Sequence, residues 1–141
     1  MASTETKVHH VGVVVPDMEQ VRFLIDLLGL EAGRTQYVDR YEADCVFTRG
    51  TGGVIEFIVP RGGVLTKFNK GLGGLHHVAL EVGDLESRSE ELRARGVELL
   101  EKTPVDAGRL LINFLPPAYT RGLIVELVQT KADGPTGEPA E

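Results

Sequence analysis

The chain has 141 residues, 42% hydrophobic and 26% charged, the proportions of one soluble globular domain able to bury a core. Its net charge of −6 argues against nucleic acid as a partner, because a phosphate backbone calls for a basic surface. No apolar run approaches the roughly 18 residues of a membrane span. The amino-terminal MASTETK lacks the apolar stretch of a signal peptide, and the lone Cys45 can close no internal disulfide, so a cytoplasmic protein is expected.

Residues 8–15 are a β-branched run and are predicted to form a strand. Asp17 can cap the helix that follows, in which Val21, Leu24, Ile25 and Leu28 recur at helical spacing and Gly29 marks the stop. A weaker strand over 34–39, an alternating one over 43–49, a turn at Gly50-Thr51-Gly52-Gly53 and a strand over 54–59 complete a β-α-β-β-β order. A connector, Leu65 to Gly74, contains the Gly-rich hinge Gly71-Leu72-Gly73-Gly74. The same order then returns: a strand over 76–82, Asp84 as cap, a charged helix ending at Gly96, and strands near 97–101, 109–115 and 122–129. The chain therefore reads as an α+β fold of two tandem modules, about 7–60 and 75–130, in a single domain over 1–130. Their sheets are expected to curl into a mixed, cup-like whole with the helices outside. The tail 131–141, rich in Pro, Gly and acidic residues, reads as disordered.

The repeat extends to chemistry. His9-His10-Val11-Gly12-Val13 opens the first module and His76-His77-Val78-Ala79-Leu80 the second, while Glu56 and Glu126 sit in the closing strands. His to Glu spans 46 residues in one module (10 to 56) and 49 in the other (77 to 126). In a strand, residues i and i+2 share a face. Ile55, Phe57 and Val59, like Leu123, Val125 and Leu127, suit a helix-packing face, which turns Glu56 and Glu126 the other way. The same parity puts His10 and His77 with the two glutamates, and His9 and His76 opposite. A carboxylate among apolar neighbours is costly unless paired. Two imidazoles and two carboxylates suit a divalent ion such as Co²⁺, Zn²⁺, Mn²⁺ or Ni²⁺. Any one such His or Glu is more often an ordinary surface or hydrogen-bonded group; four at matching repeat positions are less easily dismissed. Asn113 interrupts an apolar strand, where it could bind substrate or satisfy backbone. Cys45, on an apolar strand, reads as a packed thiol rather than a nucleophile.

These motifs resemble the vicinal oxygen chelate superfamily, which includes glyoxalase I and the extradiol dioxygenases. The resemblance covers roughly 7–129. Within it, Gly74-Leu75-His76-His77-Val78-Ala79-Leu80-Glu81-Val82, Ile112-Asn113-Phe114-Leu115-Pro116-Pro117 and Val125-Glu126-Leu127 are most similar to the methylmalonyl-CoA epimerase family. That resemblance implies a metal-dependent epimerase, with His10, Glu56, His77 and Glu126 as ligands and an enolate formed by removal of an α-proton. It implies Glu126 as one proton-handling group and a carboxylate on the third strand as the other. Counting back along the hairpin from Glu56 reaches Asp44, with Cys45 and Phe47 then packing on the helix. The implied partner is an acyl or dicarbonyl substrate, a CoA thioester in the epimerase case, and the implied assembly a homodimer.

The chain departs from the epimerase pattern at Thr103-Pro104-Val105-Asp106-Ala107-Gly108-Arg109, which holds a single Gly, and at Pro116-Pro117-Ala118, where the family often has His-Pro-Lys. Lys67 and Arg109, with Lys70 and Arg121, could compensate toward an acidic substrate arm. The alternatives are an epimerase or isomerase acting on a non-CoA carbonyl compound, a glyoxalase-I-like enzyme with the same ligand set, and a ligand-sequestering protein of the same fold. An extradiol dioxygenase would leave Glu56 surplus.

Overall fold

Strand β1 (Lys7–Val14) buries alternate residues, His10, Gly12 and Val14, and leaves those between them only half covered. The computed structural model describes residues 6–50 and 54–131, so most of the Gly50–Gly53 turn, and the expected disordered tail beyond Lys131, lie outside the described residues. After β1, the Asp17 carboxylate accepts a hydrogen bond from the Gln20 N–H at 2.8 Å and starts helix α1 (Met18–Leu28). Gly29 ends α1 with φ of 70°, its N–H turned back to the carbonyls of Ile25 and Asp26, as the sequence predicts. Strands β2 (Ala32–Val38), β3 (Ala43–Thr48) and β4 (Val54–Pro60) follow. Their order is β2-β3-β4-β1, with β1 parallel to β4 and the other pairs antiparallel.

One face of this sheet meets α1. Val15, Val21, Val46, Phe57 and Val59 form the buried cluster, with Val13, Leu24, Ile25 and Ile55 against it. Ile55, Phe57 and Val59 therefore take the packing role that alternation predicts. The β3 side of the hairpin does not follow the count. Val46 stands opposite Phe57, and Phe47 opposite Glu56. Directly opposed residues of an antiparallel pair share a face, so Cys45 and Phe47 lie with Glu56, and Asp44 lies with Val46 on the helix side. The expected parity of β3 is thus corrected by one residue, enough to exchange its two faces.

The connector is structured rather than a plain hinge. Residues Val64–Gly71 form 3-10 turns, and Gly73 has φ of 78°. A Cβ on Gly73 would overlap the Val14 carbonyl oxygen, so only glycine lets the chain pass this close to the end of β1.

The second module repeats the plan. Strand β5 (Gly74–Glu81) leads to Asp84, whose Oδ1 accepts from the N–H groups of Glu86 and Ser87 and caps α2 (Leu85–Ala94). Strands β6 (Val105–Ala107), β7 (Leu110–Leu115) and β8 (Val125–Thr130) follow, in the order β5-β8-β7-β6, with β5 and β8 parallel. Val82, Leu85, Val125 and Leu127 form the core under α2, joined by Leu80, Leu92, Leu99, Leu111 and Leu115. Two expectations change. The strand near 97–101 does not form; the third strand is the short β6. Leu123 precedes β8 and is 51% exposed, so it has no packing role.

Contact density divides the chain into two compact units, His10–His76 and His77 onward with the residues before His10. Each unit has its own apolar cluster on one sheet face and its own pair of polar side chains on the other. Among the described residues no helix is long and apolar enough to cross a membrane.

Candidate functional site

In the first unit, parallel pairing sets Gly12 of β1 beside Glu56 of β4 and His10 beside Val54. His10 and Glu56 share the face away from α1 and are 1% and 7% exposed. His10 Nε2 lies 3.0 Å from Glu56 Oε1. Phe47, opposite Glu56 on β3, meets the His10 ring edge-on, with centroids 5.3 Å apart and planes at 88°. The ring occupies the space beside the imidazole and restricts its rotation, an arrangement aromatic pairs favour. The Thr48 hydroxyl accepts from the Ile55 N–H at 3.0 Å and fastens β3 to β4 next to these residues.

The second unit repeats this, side chain for side chain. Ala79 of β5 pairs with Glu126 of β8, and His77, two residues before Ala79, shares the face of Glu126. His77 and Glu126 are 5% and 4% exposed. His77 Nε2 stands 2.9 Å from Glu126 Oε1. Phe114, opposite Glu126 on β7, packs edge-on to His77 at 5.7 Å and 90°. The four ligand-type residues expected from the sequence are therefore buried, on the predicted faces, and joined within each unit as a His–Glu pair. The two phenylalanines were missed. Their signal was the same repeat, one aromatic opposite each Glu, but reading it required the hairpin registers.

A neutral imidazole nitrogen and a carboxylate oxygen both present lone pairs, so at about 3 Å something positive must lie between them, either a proton or a metal ion. Donor atoms at adjacent corners of an octahedral ion, with bonds of about 2.1 Å, stand about 3 Å apart. Each pair has that separation. The donor chemistry, nitrogen and oxygen only, suits a borderline divalent ion.

The remaining expected site residues are placed elsewhere. Asp44 faces the helix side of its sheet, where both carboxylate oxygens accept from Arg61, Oδ2 from Nε and Oδ1 from Nη2, each at 2.8 Å. Arg61 also stacks on Tyr37, 4.4 Å from the ring centroid. Its guanidinium is held above its ordinary value, first by the hydrogen bonds to Asp44. Asp44 therefore sits in an ion pair on the face away from Glu56, not beside Glu56 as the hairpin count expects. Asn113 also lies on a helix-packing face. It stands opposite Leu127, on the face under α2 with Leu111 and Leu115. It is 1% exposed. Its Nδ2 donates to the Glu101 carbonyl at 2.9 Å and its Oδ1 accepts from Glu101 N–H at 2.9 Å and Phe114 N–H at 2.8 Å. It satisfies backbone, the second of the two roles open to it. Lys67 is exposed on the Val64–Gly71 turns, and Arg109 is half-buried in the turn between β6 and β7, its carbonyl accepting from Lys131 N–H at 2.9 Å. One basic residue was not anticipated: Arg34 of β2, on the face of Glu56, with its Cζ 5.8 Å from the Phe47 ring centroid.

The chain resembles known proteins along most of its length. It is 32% identical to the mitochondrial methylmalonyl-CoA epimerase of Bos taurus over 131 residues, 87% of this chain and 74% of that one. It is 29% identical to the ethylmalonyl-CoA/methylmalonyl-CoA epimerase of Cereibacter sphaeroides, over 87% of this chain and 97% of that one. The crystal structure of methylmalonyl-CoA epimerase from Mycobacterium tuberculosis superposes with a TM-score of 0.83 at 26% identity and covers 93% of each chain, so the α+β fold of tandem β-α-β-β-β modules is shared. The model of the Glyoxalase/Bleomycin resistance protein/Dioxygenase superfamily matches residues 9–114, from the first histidine pair through β7, and it is to this superfamily that the chain belongs.

Proposed function

We propose that the protein is a metal-dependent epimerase of the methylmalonyl-CoA type, in which His10, Glu56, His77 and Glu126 hold one divalent ion. All four are buried and each offers one ligand atom. The single observation that carries this reading is the His–Glu pair in each unit, with nitrogen and oxygen 3.0 and 2.9 Å apart out of solvent contact. The named relatives support the substrate class. A divalent ion bound there would act as a Lewis acid on carbonyl oxygens of the substrate and so favour loss of the proton between them.

The chain's own residues supply the proton transfers. Glu126 is the first candidate base. Asp44 is turned to the other face, so the second proton-handling group is assigned to Glu56, the matching carboxylate of the first unit. Phe47 and Phe114 keep water from the imidazoles and hold their rings. Lys67 and Arg109 are the proposed contacts for the acidic arm of a CoA thioester. In this proposal the protein works as a homodimer, as the resemblance implies.

The use of two ligand carboxylates for proton transfer also suits a second reading. A glyoxalase-I-like isomerisation takes a proton from one carbon and returns it to the next, and needs no carboxylate on β3. Deuterium uptake from D₂O into methylmalonyl-CoA decides between them. Exchange by protein loaded with Co²⁺ is expected, together with its loss by about a thousandfold in Glu126→Gln. No exchange by the loaded parent rejects the thioester reading, and turnover of the methylglyoxal–glutathione hemithioacetal would then establish the second.

A further inference from the structure

We infer that the outer face of α1 is the surface through which two copies of the chain associate. This gives the proposed homodimer its interface and depends on neither the metal nor the substrate. The internal repeat carries the argument. One interval of 67 residues relates the two histidines (10 to 77), the helix caps (17 to 84) and the glycines after the helices (29 to 96). α1 and α2 therefore correspond position by position. On α1, Val21, Leu24 and Ile25 turn to the sheet, whereas Phe23 and Leu27 stand one turn apart on the outer face, 62% and 63% exposed. At the same positions α2 carries Glu90 and Ala94, both exposed. A helix in this place accepts a charge and a methyl group, yet the first module sets a phenyl ring and an isobutyl group in water. A single exposed apolar side chain is ordinary; an adjoining pair that the equivalent helix lacks marks a contact surface.

The charges point to the partner. Arg22 and Asp26, both exposed, follow one another along one flank of the apolar pair. A second copy related by a two-fold axis lays its α1 antiparallel across the first, so that Phe23 of each meets Leu27 of the other. Each flank then faces its own reversed image, and Arg22 of each copy comes against Asp26 of the other. The edge is self-complementary in sign, which an isologous contact needs and an unrelated partner does not. An interface of ordinary size covers about 800 Å² on each partner, more than one helix of 11 residues provides. The surface continues on the same side of the sheet, where Tyr37, opposite Asp44 on β3, is partly exposed beneath the Arg61 guanidinium. Tyr and Arg are enriched at contact surfaces.

Sedimentation velocity on the full chain is the test. The parent is expected to sediment as a dimer at micromolar concentration. Phe23→Glu, which installs the residue type α2 holds there, should weaken association at least about tenfold, with a circular dichroism spectrum like the parent's. Arg22→Asp should weaken it about fivefold, and adding Asp26→Arg to the same chain, which restores opposite signs across the two-fold axis, should recover most of that loss. A parent that sediments as a monomer overturns the inference. So does a Phe23→Glu chain that associates like the parent, because the apolar pair then serves only its own helix. If Phe23→Glu does not fold, Leu27→Ala, again the residue type of α2, replaces it in that comparison. Failure of the double exchange to recover association overturns the two-fold arrangement. Every readout is a mass in solution, so these outcomes are separate from success or failure of the epimerase reading.

Discussion

A single residue step decides which face of its sheet Asp44 occupies. Counting from Glu56 around the hairpin puts Asp44 beside that glutamate, but the register of β3 against β4 turns it to the opposite face, where Arg61 holds it. Asp44→Asn should therefore leave turnover within about twofold of the parent, measured as deuterium exchange under saturating metal; a loss of several orders would restore Asp44 to the chemistry. His10, Glu56, His77 and Glu126 were legible without any register, because each belongs to a strand whose alternation is unambiguous and each has a counterpart in the other repeat. Phe47, Phe114 and Arg34 were not legible. The first two depend on which residue opposes which across a turn, and the third on the register shift between Ala32 and Thr35 of β2, and neither is written in the period of the strand itself.

At the scale of elements, the caps and cores were readable and the edge strand was not. Asp17, Gly29 and Asp84 do what their residue types predict. The misread segment is 97–101, whose Val97-Glu98-Leu99-Leu100 pattern looks like a strand. It is instead a loop tied to β7 by Leu100 N–H on the Phe114 carbonyl and by the Asn113 side chain on both backbone groups of Glu101. Asn113→Ala leaves those groups without a partner under α2 and should destabilise the fold by about 2–3 kcal/mol, read by urea denaturation; a change below about 0.5 kcal/mol would show the clamp to be idle. Asp17 gives a pH dependence. Its carboxyl is held below its ordinary 3.8, first by the Gln20 N–H. The contribution is therefore complete above the ordinary value and disappears as pH falls through the lowered one. Asp17→Asn keeps an acceptor but does not titrate, so its melting temperature should fall less than the parent's between about pH 5 and about pH 2.

At the scale of the whole molecule, the repeat makes a quantitative statement about stoichiometry. Each unit has one imidazole and one carboxylate of its own, and two protein ligands make a weak site, whereas four make a strong one. If the two pairs serve one ion, Co²⁺ titration should saturate at one equivalent per chain, and either Glu56→Gln or Glu126→Gln alone should weaken it. If each unit bound its own ion, saturation would come at two, and each variant would spare the other site. The distinction also appears in stability. An ion at about a hundred times its dissociation constant stabilises the native state by about 2.7 kcal/mol, roughly 8 °C in melting temperature for a chain of this size. With one shared ion, the two substitutions are non-additive: the first removes most of the shift and the second little more. Additive losses in that double-mutant cycle would mean that the histidine–glutamate repeat records a duplicated structural pair, and would leave the proposed chemistry without its centre.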